Sequence, residues 1–98
     1  MRISSMQKST LITLFILEQR QVLKLGVIYP IPSRDIYQMV SKSKSADIYK
    51  NNFRVSCHTL CKNRLIDKYR NESLNLAFKL TDSGRELAKQ AYDELLNN

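Results

Sequence analysis

The segment from Asn51 to Leu87 constrains the fold more than any other part of the chain. Phe53, Cys57, Leu60 and Cys61 recur at i, i+4, i+7 and i+8, which predicts a helix with one buried face. The apolar pair Leu65-Ile66 leads into a basic strand running through Tyr69, and Asn71-Glu72-Ser73 has turn chemistry. Leu74, Leu76, Phe78 and Leu80 then alternate with Asn75, Ala77 and Lys79, as in a half-buried strand. Thr81 is placed to cap a last helix, whose apolar stripe is Leu87, Ala91 and Leu95 with Ala88, Tyr92 and Leu96. A helix, a hairpin and a second helix in that order define an α+β chain.

Upstream, helix 1 is expected from Thr10 to about Lys24, with Ser9 as its cap. Leu11, Leu14, Phe15, Leu17 and Val22 form its apolar face, and Glu18, Gln19, Arg20 and Gln21 are polar. Gly26 suits the helix exit, where a left-handed backbone is needed. Val27 to Ile31 reads as a short extended piece, held out of helix by Pro30 and Pro32. Ser33 caps a helix from Arg34 to about Val40, with Ile36, Met39 and Val40 inward. Ser41 to Lys50 lacks an apolar period and reads as a basic loop, and Asn51 or Asn52 caps helix 3. The element order is therefore α-β-α-α-β-β-α, and 98 residues suit one domain.

Charge is segregated along the chain. The net charge is +7, and residues 34–70 carry nine basic and three acidic side chains, whereas residues 71–98 carry three basic and five acidic. Such a distribution is the footprint of a surface that meets phosphates, although a merely solvated face has the same composition. No apolar run approaches a membrane span, so a cytoplasmic protein without membrane association is expected. Cys57 and Cys61, four apart on one helix, are poorly placed for a disulfide and suit reduced core thiols. With His58 on the other side of that helix, neither a zinc site nor a Cys/His nucleophile pair is expected. The chain has only two glycines and no phosphate-cradling loop. No catalytic constellation, metal site or cofactor is expected, and the reading is not that of an enzyme.

With Phe53, Cys57, Leu60 and Cys61 inward, the opposite arc of helix 3 holds Asn51, Arg54, Val55, His58, Thr59 and Lys62, with Asn52 beside them. Asn can pair with adenine, Arg with guanine, and Val or the Thr methyl with the thymine methyl. Lys62 at the far end suits a phosphate. The competing reading is a plain amphipathic helix with a solvated outer face.

The flanking motifs bear on that choice. Leu60-Cys61-Lys62-Asn63-Arg64-Leu65-Ile66 resembles the Leu-x-x-x-Gly-Leu-Ile end of the recognition helix in winged helix-turn-helix regulators such as the MarR and PadR families, with Arg64 where Gly is usual. Leu80-Thr81-Asp82-Ser83-Gly84 is similar to their Leu-Thr-x-x-Gly segment after the wing, and Ser33-Arg34-Asp35-Ile36 to the start of their first helix-turn-helix helix. The resemblance covers roughly Pro32 to Leu96. It implies a winged helix in which the helix-turn-helix spans about 33–65, a small β-hairpin wing about 66–80 and the C-terminal helix about 82–96. Arg64 in place of Gly predicts a different backbone at the helix end, because Arg tolerates positive φ poorly. The connection before helix 3 is longer than the resemblance implies. It reads either as a phosphate-contacting arm bearing Lys42, Lys44 and Lys50 or as a sign that the recognition helix is displaced.

The resemblance implies binding to double-stranded DNA. Ser33 and Arg34 join the candidate contacts, as do Lys68 and Arg70 on the wing, with Arg70 suited to a narrow A·T-rich minor groove. The expected role is a small transcriptional regulator, a homodimeric repressor paired through helix 1 and the C-terminal helix, in keeping with Lys-, Asn- and Ile-rich usage in a bacterial, plasmid or phage setting. Two alternatives stay open: an accessory factor for plasmid or phage replication or segregation, and a protein-interaction winged helix that docks through groups such as Val55 and Tyr49.

Overall fold

The computed structural model describes residues 3–43, 50–73 and 75–97. The elements are α1 (Ser5–Leu25), β1 (Ile31–Pro32), α2 (Ser33–Ser43), α3 (Lys50–Lys62), β2 (Ile66–Arg70), β3 (Leu76–Leu80) and α4 (Asp82–Leu96). The order is the expected one, and several boundaries differ.

Helix α1 begins five residues before the expected Thr10, because a better cap lies upstream. Gln7 N–H donates to Ser4 Oγ at 3.1 Å and Ser4 N–H donates to Gln7 Oε1 at 3.5 Å, a reciprocal capping box. Ser9 is inside the helix. Thr10 is fully buried there because its hydroxyl donates to the Met6 carbonyl at 2.8 Å. The helix ends where expected, with Gly26 at φ 75° donating its N–H to Val22 O. Helix α2 runs three residues past Val40, and α3 starts one residue ahead of Asn51, so neither Asn51 nor Asn52 precedes it as a cap. Of the expected basic loop from Ser41 to Lys50, Ser41–Ser43 belong to α2 and Lys50 to α3, and positions 44–49 lie outside the described residues, as does Leu74, the expected start of the second wing strand.

The sheet has three antiparallel strands in the order β1-β3-β2, so the extended piece before α2 is more than a connector. Ile31 lies opposite Phe78 and Pro32 opposite Ala77. On the other edge, Ile66 faces Leu80, Lys68 faces Phe78 and Arg70 faces Leu76. Helix α1 runs behind the helix-turn-helix and packs against α2, α3, α4 and β3. Leu11 and Leu14 of α1 join Ile36 and Val40 of α2, Phe53, Cys57 and Leu60 of α3, and Phe78 and Leu80 of β3 in one buried cluster.

Glu18 departs from its expected place on the polar side of α1. It is fully buried. Its Oε2 accepts the Leu80 N–H at 2.9 Å and its Oε1 accepts Arg85 Nε–H at 3.0 Å, while the Arg85 guanidinium donates to Leu80 O at 3.1 Å. β1 pairs with β3 only as far as Phe78, and these two side chains take the backbone groups of Leu80 that a longer first strand would have used. A carboxylate is tolerated in the interior when it is paired and hydrogen-bonded in this way.

Helices α1 and α4 lie antiparallel. Phe15 and Tyr92 pack as a tilted pair with 5.5 Å between ring centroids, and Lys8 reaches Glu94 at 3.6 Å.

Candidate nucleic-acid interface

Four residues of α3 are buried: Phe53, Ser56, Cys57 and Leu60. The i, i+3, i+4, i+7 spacing holds, but Ser56 replaces Cys61 in the expected set. Cys61 is half-buried and borders a cleft beside the helix. Asn51, Asn52, Arg54, Val55, His58 and Lys62 are exposed, and Thr59 is half-buried. The outward arc is therefore available as expected, least so at Thr59. Arg54 is held along the helix by donating to Asn51 Oδ1 at 3.1 Å, one turn earlier.

The end of α3 explains the motif there. Arg64 N–H donates to Cys61 O at 3.0 Å and Leu65 N–H to Leu60 O at 2.9 Å, the bond pair of a Schellman motif. Such an ending needs a left-handed residue, and Arg64 supplies it at φ 60°. The expectation of a changed backbone at this position is thus wrong: Arg occupies the conformation that Gly would have adopted, at a cost of roughly 1–2 kcal/mol. Leu60 and Leu65, which close the motif, are both in the core.

The second motif locks onto the first. Thr81 Oγ donates to Arg64 O at 2.7 Å and accepts Gly84 N–H at 3.0 Å, and Thr81 N–H donates to Leu65 O at 3.1 Å. Thr81 caps α4, as expected. Gly84 is buried against Leu65, where a Cβ would collide with the carbonyl group. The Gly of that motif therefore reflects a close backbone approach between the exit of α3 and the first turn of α4.

The pairing register decides where the wing's charges go. Lys68 and Arg70 share a sheet face with Phe78 and Leu76, and that face looks onto α3. Between them lies a cleft of about 700 Å³. Ser33 and Arg34 border it from α2, Lys50, Arg54 and His58 from α3, and Lys68 and Arg70 from the wing. Seven of the candidate positions are thus brought to one concavity. Asn51, Asn52, Val55, Thr59, Lys62 and Lys42 lie outside it, and Lys44 lies outside the described residues. Tyr37 and Gln38 also line the cleft and were missed from sequence. Their spacing of three and four from Arg34 puts all three on one side of α2, which was the available signal.

Burial pushes the Cys57 thiol from its ordinary 9.0 up to about 12, with Cys61 nearby adding to the effect. Cys61 is also raised by burial; Lys68 pulls it down and Asp67 pushes it up. Both thiols are protonated at neutral pH, which does not suit a reactive thiolate.

A helix-turn-helix followed by a β-hairpin that packs beside the second helix, with an N-terminal strand completing the sheet, is a winged helix-turn-helix. Solved structures that share it include F-93 of SSV1 and MepR. F-93 of SSV1 superposes with a TM-score of 0.73 at 13% identity, covering 99% of this chain and 88% of that one. MepR, a transcription regulator of the Staphylococcus aureus multidrug efflux pump MepA, gives 0.69 at 19% identity, covering 97% of this chain and 62% of that one. This chain therefore spans less than two thirds of the length of MepR. No protein-family profile matches the chain, and no curated protein does.

Proposed function

We propose that this protein binds double-stranded DNA sequence-specifically, as a small cytoplasmic transcriptional regulator acting as a homodimeric repressor. One observation carries the reading: cations from α2, α3 and the wing border one cleft beside α3, and no Asp or Glu is among the described residues lining it. Asn51, Asn52, Arg54, Val55, His58 and Thr59 are the proposed base readers in the major groove. Ser33, Arg34, Lys42, Lys44, Lys50 and Lys62 position the helix on phosphates, with Lys68 and Arg70 reaching the backbone or minor groove from the wing. The likeness in fold to MepR, a named transcription regulator, supports the same role.

Pairing through α1 and α4 is supported by apolar side chains left on their surfaces. Leu23 and Leu25 of α1 and Leu95 and Leu96 of α4 are all exposed. Covering such groups is a usual gain of small domains that dimerise, and a two-fold dimer presents two recognition helices to successive turns of the groove.

The deciding experiment is selection of bound fragments from a random duplex pool, followed by salt titration on the selected site. A palindromic site is expected, with log K falling by about 0.9 per phosphate neutralised as log salt rises. Absent or salt-insensitive binding would refute the DNA reading.

A further inference from the structure

The cleft between α3 and the wing has more structure than contact with a DNA backbone requires. Its rim carries five cations: Arg34, Lys50, Arg54, Lys68 and Arg70. Its floor is apolar, made by Phe53, Cys57, Leu76 and Phe78, with Tyr37 at the side. A phosphate strand crossing the rim would meet the cations and leave the floor untouched. A volume of about 700 Å³ lies within the roughly 300–1,000 Å³ typical of small-molecule sites.

We propose that this cleft binds a nucleoside polyphosphate, with the base on the apolar floor and the phosphates among the rim cations, in competition with DNA. Charge count selects the polyphosphate. A monoanion would meet one or two of five cations, whereas several phosphates match a ring drawn from three elements. Arg34 and Lys50, from the first turns of α2 and α3, stand on the same rim as the wing cations Lys68 and Arg70. Ring chemistry selects the base. Tyr37, tilted against Phe53 at 5.4 Å and 60°, and Leu76 are half-buried and present the apolar surface against which a flat heterocycle is retained, with the buried Phe53 and Phe78 beneath them. Because the rim cations are also proposed DNA contacts, Arg54 to a base and the other four to the backbone or minor groove, occupancy by one ligand excludes the other. A cellular nucleotide would then set the fraction of protein free to bind DNA.

The test is calorimetric titration of the full chain in low salt, with ATP, tripolyphosphate, AMP and adenosine as separate probes. ATP should bind about tenfold or more tightly than either tripolyphosphate or AMP, since each removes one half of the contact. Equal affinity for tripolyphosphate and ATP would overturn the proposal, because the floor would then be unused. Equal affinity for adenosine and ATP would overturn it from the other side, as would no binding by any probe. Leu76→Trp, which fills the floor and keeps every cation, should lose about tenfold for ATP and leave tripolyphosphate unchanged. If that variant does not fold, the ratio of ATP to tripolyphosphate affinity on the unaltered chain decides the matter. Duplex retention measured on the same preparation keeps the two readings apart. DNA binding without ATP binding defeats only the nucleotide site, whereas ATP binding without DNA binding keeps that site and defeats both the regulator and the competition.

Discussion

Glu18 Oε2 accepts the backbone N–H of Leu80 at 2.9 Å, joining the middle of α1 to the base of the wing across a sequence separation of 62. The same carboxylate holds Arg85 at 3.0 Å, so one buried group fixes the wing and the start of α4 to the helix behind them. Replacing Glu18 by Ala leaves the Leu80 N–H and a partly buried guanidinium without their acceptor. The expected loss is about 3 kcal/mol in urea unfolding. A loss under about 1 kcal/mol would show that water replaces the carboxylate without penalty.

Gly84 and Arg64 should respond in opposite ways. Gly84→Ala puts a methyl group into the Leu65 carbonyl, where backbone and not a flexible side chain must yield. It should cost about 2 kcal/mol or more. Arg64→Gly relieves a left-handed non-glycine residue at φ 60° and should stabilise by up to about 1 kcal/mol, less the entropy Gly adds to the unfolded chain. Thermal denaturation of the two variants side by side checks both signs.

Arg54→Ala should weaken binding to the selected site by roughly 1–3 kcal/mol and relax preference at one base position. Lys62→Ala should instead weaken all sequences alike and lower the salt slope by about 1. Fluorescence anisotropy on the selected duplex and a scrambled one separates the two patterns. Equal loss on both duplexes for Arg54→Ala would reassign that side chain to the backbone.

Cys57 sets a stability trend at high pH. Its folded pKa of about 12 lies above its ordinary 9.0, so the protonated thiol is favoured by folding. That contribution is complete below about 9 and is lost as pH rises toward 12, at up to about 1.4 kcal/mol per pH unit. Between those limits Cys57→Ala should lose stability with pH less steeply than the unaltered protein. Parallel slopes would mean that Cys57 meets solvent in the folded state.

Much of this architecture could be read locally. The Thr81 cap, the inward Phe53, Cys57 and Leu60 of α3 and the inward Phe78 and Leu80 of β3 depend on neighbours within a turn or a strand and are legible in the sequence, whereas Ser56 in place of Cys61 is not. What escaped depends on distant partners. Glu18 sits in a polar run and looks like surface; its burial rests on Arg85, 67 residues away. The joining of β1 to the sheet depends on Ile31 meeting Phe78. The cleft was invisible for the same reason, since it exists only because Lys68 pairs opposite Phe78 and so turns its charge toward α3. Arg64 failed differently. Propensity argued against positive φ, and the two bonds of the helix ending outweighed it.

Both margins of the sheet discourage further strand addition. On one side β1 is only two residues long and ends in Pro32, which has no N–H to offer. On the other, β2 carries Asp67, Lys68 and Arg70 among its five residues, and charged side chains on an edge strand disfavour pairing with another chain. Concentrated solutions should accordingly resist amyloid-like growth from the wing.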